Sequence, residues 1–213
     1  MFRHDLRNSG CFEIPWADIM VAPAEILVSL APNQQEERIV TVTNDGELDL
    51  DFTITVFTAS DSAWLDADPL EGVVTSDSSM EISVTLDASG IEPGLHSGEL
   101  RIHSNDPTDS LVTVPVTLEV TPTFIRGDGN GDGNLTVADA VYLISYVYRA
   151  GPVACEDCCD ANDDGGITSA DAIYIVSHIY RSGFPPPNPF PDCGPDPTDD
   201  QLGCTSHPCM GMK

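Results

Sequence analysis

The sequence predicts a multidomain, mainly β chain. An antiparallel β-sandwich occupies residues 21–121 and a small all-α module follows over residues 122–183. Three observations predict this. Apolar and polar residues alternate with period two through the first half. Turn signals rich in Gly, Asn and Pro interrupt that alternation. A loop-and-helix pattern is then duplicated at an offset of 32 residues, from Asp128 to Asp160. Residues 1–20 read as an N-terminal remnant or linker, and residues 184–213 as a Pro- and Cys-rich tail.

The longest alternations run Leu48-Leu50-Phe52-Ile54-Val56, Met80-Ile82-Val84-Leu86 and Val112-Val114-Val116-Leu118-Val120. Such strands bury one face and wet the other. Shorter candidates lie at Ile26–Leu30, Arg38–Thr43 and Gly98–His103, separated by Asn44-Asp45-Gly46, Glu92-Pro93-Gly94 and Ser104-Asn105-Asp106-Pro107. About seven strands in roughly 100 residues suit a two-sheet sandwich. Pro115 lacks a ladder donor, which predicts an edge strand or a bulge there. The stretch resembles the immunoglobulin-like repeats of bacterial surface and secreted proteins, of the BACON and abnormal-spindle-like kind. The resemblance rests on Ala63-Trp64-Leu65, on Gly94-Leu95-His96-Ser97-Gly98-Glu99-Leu100, and on Ser104-Asn105-Asp106-Pro107 followed by Val114-Pro115-Val116. Trp64 reads as core, with a sugar-stacking platform as the rival that makes carbohydrate binding a candidate activity. His96 and His103 read as surface residues.

Eight Lys and Arg face 35 Asp and Glu, so the net charge is -27. That balance excludes nucleic acid as a partner, because a phosphate backbone needs basic side chains to displace its counterions. No apolar run is long enough to cross a bilayer, so no membrane insertion is expected. The acid is spread over both halves and reads mainly as a solubilising surface.

The duplicated segment aligns Asp128-Gly-Asn130-Gly-Asp132-Gly133-Asn134-Leu135-Thr136-Val137-Ala138-Asp139 with Asp160-Ala-Asn162-Asp-Asp164-Gly165-Gly166-Ile167-Thr168-Ser169-Ala170-Asp171. Side-chain oxygens recur at loop positions 1, 3, 5 and 12, with Gly at 6 for the sharp turn. A hard cation the size of calcium wants six to eight oxygens, and this spacing supplies them. Candidate ligands are Asp128, Asn130, Asp132, Asn134 through its carbonyl, Thr136 through a water, and Asp139. The second copy offers Asp160, Asn162, Asp164, Gly166, Thr168 and Asp171. Two Ca2+ ions are therefore expected. Each loop gathers three carboxylates that repel one another without metal, so the module is expected to fold only with calcium. Leu135 and Ile167 are expected to pair between the loops.

A helix should follow each loop, with Val141, Ile144, Val147 and Tyr148 on one face and Ile173, Val176, Ile179 and Tyr180 on its counterpart. Gly151 and Gly183 should stop the helices. Residues 121–126 read as extended chain, so each unit is a loop then a helix. A duplicated loop-helix with Asp at position 12 resembles the type I dockerin family. The resemblance implies two calcium-bound loops, antiparallel helices, and docking to a cohesin-like module on a scaffold or cell surface. Carried over by position, the partner-facing residues are Val137, Ala138, Ser145 and Arg149 in one copy and Ser169, Ala170, Ser177 and Arg181 in the other. The hydroxyl pair usual at positions 10 and 11 is replaced by Val-Ala and Ser-Ala, so the two copies present different faces.

Seven cysteines, six of them between Cys155 and Cys209, suit an extracellular or cell-surface setting. Residues 1–10 lack the apolar core of a signal peptide. This predicts the C-terminal part of a larger secreted protein or a misplaced start. Sequence leaves the pairing of Cys155, Cys158, Cys159, Cys193, Cys204 and Cys209 open. Zinc on Cys155-x-x-Cys158-Cys159 is the rival reading. Cys11 is left over, and the tail after Phe184 is expected to clasp the module or trail as a linker. No nucleophile elbow, phosphate loop or catalytic triad stands out, so no enzyme is expected. The leading expectation is calcium-dependent protein–protein docking with a sandwich spacer. The alternative is a structural subunit of an extracellular assembly that contacts copies of itself, reinforced by calcium and disulfides.

Overall fold

A computed structural model describes residues 15–59, 63–198, 200–205 and 209. Cys11 and the signal-peptide question lie outside the described residues. In chain order the elements are β1 (Ile19–Ala22), β2 (Ile26–Leu30), β3 (Gln35–Asn44), β4 (Leu50–Thr58), β5 (Leu65–Asp68), β6 (Glu71–Val74), β7 (Ser78–Asp87), β8 (Gly94–Ser104), β9 (Leu111–Val120), α1 (Val137–Arg149), α2 (Glu156–Cys159) and α3 (Ser169–Arg181).

The strands form two sheets, ordered β1-β3-β7-β5 and β2-β9-β8-β4-β6. Period two explains the layers. Val40 and Val42 of β3 and Ile82, Val84 and Leu86 of β7 are buried from one sheet. Phe52, Ile54, Leu100, Ile102, Val114, Val116 and Leu118 are buried from the other. The sandwich is antiparallel except where β2 runs parallel to β9, with Ile26 opposite Val116 and Leu30 opposite Val120. Strand β9 is therefore an inner strand, which corrects the expected edge at Pro115. The physical requirement survives locally. β2 pairing begins at Val116, so Pro115 has a partner strand only on the β8 side, opposite Glu99.

Trp64 is 1% exposed and sits in the sandwich core. Its ring lies against Gly98, where a β-carbon would come within 2.8 Å of the Phe57 carbonyl oxygen and 3.1 Å of the indole. Gly98 is thus required for close approach. The buried indole has no face left for a sugar, which removes the platform reading of this residue. His103 is exposed, and half-buried His96 lies 2.8 Å from the Glu92 carbonyl oxygen through its Nε2.

The Ser104-Asn105-Asp106-Pro107 turn ties the first strand to the last hairpin. Asp106 Oδ2 accepts the Ile19 N–H at 2.9 Å, and Oδ1 accepts the Thr108 N–H, the Thr108 hydroxyl and the Asp109 N–H. Burial works to raise its pKa, but those donors outweigh it and hold the carboxyl below the usual range. A carboxyl with a lowered folded pKa contributes stability above its unfolded value near 3.8 and loses it as pH falls through the folded value. Asp106→Asn should therefore cost about 1–3 kcal/mol at neutral pH, with the gap to wild type closing below about pH 3.8. Acid titrations of urea unfolding, followed by tryptophan fluorescence, measure this.

The helical module keeps a separate small core of Phe124, Ala140, Leu143, Ala172, Ile175 and buried cysteines. Helices α1 and α3 pack on each other. The tail closes over the module as a clasp: Phe124 and Gly194 exchange backbone hydrogen bonds at 3.0 Å, and disulfides join Cys155 to Cys204 and Cys193 to Cys209. Cys155 is thus committed to a disulfide, which overturns the zinc reading. Cys158 and Cys159 are buried free thiols. Contact with Cys159 and burial push the Cys158 thiol upward, so it stays protonated and inert.

Candidate metal centre

Both loops fold by one pattern. In the first, Asp128 Oδ1 accepts the Asp132 N–H at 3.1 Å and Oδ2 accepts the Gly133 N–H at 2.8 Å. Asn130 Oδ1 accepts the Asp132 N–H, and Asp132 Oδ1 accepts the Asn134 N–H, each at 2.9 Å. In the second, Asp160 accepts from Asp164 and Gly165 at 3.2 and 2.7 Å. Asn162 accepts from Asp164 and Asp164 from Gly166, each at 3.1 Å. These bonds curl the chain until positions 1, 3 and 5 face inward. Gly133 and Gly165 take φ of 83° and 79°, which a β-carbon would strain.

Position 12 has two duties. Asp139 Oδ1 accepts the Asn130 N–H at 3.2 Å, drawing it over the loop, while Oδ2 accepts the Thr136 N–H at 2.7 Å. Asp171 does the same to Asn162 and Thr168 at 3.3 and 2.9 Å. Thr136 and Thr168 are the N-caps of α1 and α3, so each loop closes with a capping box. The Thr-x-x-Asp spacing carries that signal in the sequence, alongside its metal meaning. Asp at position 12 thus spans its own cap and the N–H of position 3 across the loop.

Asp128, Asp139, Asp160 and Asp171 are buried, while Asn130, Asp132, Asn134, Thr168 and Asp164 are exposed and Thr136, Asn162 and Gly166 are partly so. Burial raises the pKa of Asp139, the Thr136 and Asn130 donors oppose it, and the charges of Asp128 and Asp132 raise it further. Asp171 is raised in the same way, with Asp160 and Asp164 as its like charges. An all-oxygen donor set whose carboxylates repel one another out of bulk water fits a hard divalent cation.

The helices bury a face only partly shared with the one periodicity marked: Val147, Val176 and Ile179 pack against the core, while the rest of that stripe is exposed. Ala140 and Leu143 of α1 and Ala172 and Ile175 of α3 are buried, whereas Val141 is 65% and Ile173 68% exposed. Val137, Ile144, Tyr148 and Tyr180 are also exposed. Between α1 and α3 lies an apolar groove of 520 Å³ lined by Val141, Ile144, Ile173, Val176, Ser177 and Arg181, among others. Of the sequence-derived partner residues, Val137, Ser177 and Arg181 line this groove. Ala138, Arg149 and Ala170 are exposed, and Ser145 and Ser169 partly so.

The helix stops also differ. Ala150 and Ser182, with φ of 50° and 54°, take the left-handed cap, and the glycines follow them. Gly183 is required for another reason: a β-carbon there would lie 2.8–3.0 Å from Ser177 atoms.

The residue that sequence reasoning missed is Arg126, which is 1% exposed. Its Nε donates to the Asn188 carbonyl at 3.1 Å, and its Nη1 to the carbonyls of Asp157 and Asp160 at 3.3 and 3.0 Å. Its Nη2 pairs with Asp196 at 2.6 Å and Asp163 at 3.1 Å. One guanidinium thus ties the second loop, α2 and the tail together. Nothing in its spacing marked it. Short α2, which precedes the second loop, was likewise unread. Among the described residues, two carboxylate trios have ligand oxygens within 4.8 Å of one another: Asp157 with Asp196 and Asp200, and Asp160 with Asp163 and Asp200. Burial, then the charges of Asp196 and Asp200, push the Asp157 carboxyl up to about 6 against the lowering pull of Arg126.

Comparison with known proteins gives two family matches. Residues 18–121 match the viral BACON domain and residues 126–180 match the dockerin type I domain. No curated protein matches. Among solved structures, the ASH / PapD-like domain of human CEP192 is 11% identical with a TM-score of 0.43, covering 56% of this chain and 96% of that one. The periplasmic chaperone SfaE is 10% identical with a TM-score of 0.40, covering 49% and 59%. The MSP-domain-like protein SSP-19 of Caenorhabditis elegans is 17% identical with a TM-score of 0.37, covering 47% and 98%.

Proposed function

We propose that this chain, a BACON-type sandwich joined to a type I dockerin domain, is a non-catalytic docking unit in which two calcium-loaded loops hold an apolar helix face toward a cohesin-like partner outside the cell. Dockerin type I domains bind calcium and support calcium-dependent protein–protein docking. In this chain Asp128, Asn130, Asp132, Asp139, the Asn134 carbonyl and Thr136 would hold one ion. Asp160, Asn162, Asp164, Asp171, the Gly166 carbonyl and Thr168 would hold the other. Bound calcium supplies the positive charge that lets three carboxylates share one loop. Asp139 and Asp171 then carry loop order into the first turns of α1 and α3 through the capping boxes.

The observation that carries the reading is the exposed apolar face of α1 and α3. Large apolar groups on a small domain that buries only a modest core mark an interaction surface. Val141 and Ile173, related by the duplication, both line it, and exposed Arg149 and Arg181 stand in the last turns of α1 and α3. In a chain of net charge -27, basic side chains on the face admit an acidic partner rim without self-repulsion. The sandwich serves as spacer, and the two disulfides suit a secreted setting.

The test is capture of a panel of cohesins by the full chain in calcium and in chelator. Val141→Glu and Ile173→Glu should each weaken capture about thirtyfold, equivalent to about 2 kcal/mol at a buried hot spot. Helicity should stay intact, since both positions face solvent. Equal capture by wild type and both variants, or capture undiminished in chelator, would remove the proposal.

A further inference from the structure

We propose that Asp157, Asp196 and Asp200 form a third divalent-cation site, outside the two loops, that fastens the C-terminal tail to α2. It stands independently of the docking reading. Their ligand oxygens lie within 4.8 Å of one another. Oxygens around one calcium at 2.3–2.6 Å are separated by up to about 5 Å, so a single ion can reach all three.

A second observation concerns the buried member of this trio. Asp157 is 5% exposed, and its buried Oδ1 has no donor among the described residues. A buried carboxylate oxygen without a partner carries the cost of lost hydration and calls for a compensating group. The other two carboxylates are held in place. Asp196 Oδ1 takes Arg126 Nη2 at 2.6 Å, the Thr198 hydroxyl at 2.9 Å and the Thr198 N–H at 3.2 Å. Asp200 Oδ1 takes the Leu202 N–H at 2.7 Å. Among the described residues, these hydrogen bonds engage only Oδ1 of each. Arg126 offsets only part of the charge, because it also serves Asp163.

The fold removes much of the entropic cost of assembling the site. The Cys155–Cys204 disulfide brackets the trio, two residues before Asp157 and four after Asp200. Tail and helix are thereby brought together before any ion binds. The donors are all carboxylate oxygens, which favour calcium over a soft metal. With three protein donors and the rest of the shell water, affinity falls in the range of about 0.1–1 mM used by extracellular calcium modules. The site is then filled where calcium is abundant and released where it is scarce.

Equilibrium dialysis of the full chain with radiolabelled calcium, up to about 10 mM, tests this. Wild type should take up one weakly bound equivalent beyond the ions that bind tightly. Asp157→Asn and Asp200→Asn should each lose that equivalent and keep the tight ones. Asp66→Asn, at an exposed carboxylate of β5, should match wild type. Asp200 is only partly buried, so its variant remains informative even where Asp157→Asn perturbs folding. Equal uptake by wild type and Asp200→Asn would overturn the site and leave a proton shared between Asp157 and Asp196. A missing tight equivalent would count against the loops, while the difference between wild type and Asp200→Asn would still report on this site.

Discussion

Chelation of calcium should unfold the helical module and leave the sandwich standing. Each loop brings buried carboxylates together, Asp128 with Asp139 and Asp160 with Asp171, and burial first, then the like charges, raise the pKa of position 12. Helices α1 and α3 are 13 residues each, a length that is marginal in isolation. Their shared core offers few large side chains, chiefly Phe124, Leu143 and Ile175. An ion at about a thousand times its dissociation constant would contribute about 4 kcal/mol, so two loaded loops would contribute about 8 kcal/mol, comparable with the whole stability of a small domain. The sandwich core shares no residue with this cluster and does not depend on it. The sequence supplies separate reporters. Both tryptophans, Trp16 and Trp64, lie on the sandwich side, and all five tyrosines, at 142, 146, 148, 174 and 180, lie in the module. In chelator, helical circular dichroism and the near-ultraviolet tyrosine signal should fall while Trp64 emission stays that of a buried indole. Unchanged helicity would defeat this expectation.

Replacing Arg126 should be the most damaging single change in the module. Its guanidinium is buried and satisfies two carboxylates and three carbonyls drawn from α2, the second loop and the tail. Truncation to Ala strands those groups away from water, and breaking one side of a buried ion pair costs about 3–5 kcal/mol. Lys should rescue little, because a single ammonium cannot reproduce the planar fork that reaches Asn188, Asp160 and Asp196 together. The effect should appear as a lower melting temperature of the tyrosine-reported transition in calcium, with the tryptophan-reported transition unmoved. A Arg126→Ala chain that melts like wild type would show that the clasp carries no stability.

The long strands were legible because one face meets a core and the other meets water, as in β7, where Ile82, Val84 and Leu86 are buried. Strands β1, β5 and β6 escaped notice at four residues each, too short for alternation to stand out. The parallel partnership of β2 with β9 joins segments some ninety residues apart in sequence, which no local pattern encodes. The turns of the two loops were legible because Asp, Asn and Gly recur at the spacing that their hydrogen bonds require. The helices were legible in length but not in facing. Periodicity finds an apolar stripe, yet it cannot tell residues that meet their own core, Ala140 with Leu143, from residues left exposed, Val141 with Ile144. Arg126 gave no signal, since its partners come from three distant segments.

Calcium stoichiometry in position-12 variants tests the central claim most directly. The chelator-treated full chain should bind two ions tightly, with Asp139→Asn and Asp171→Asn each binding one and losing helicity in proportion. Wild type that takes up no tight ion, or variants that still take up two, would contradict it.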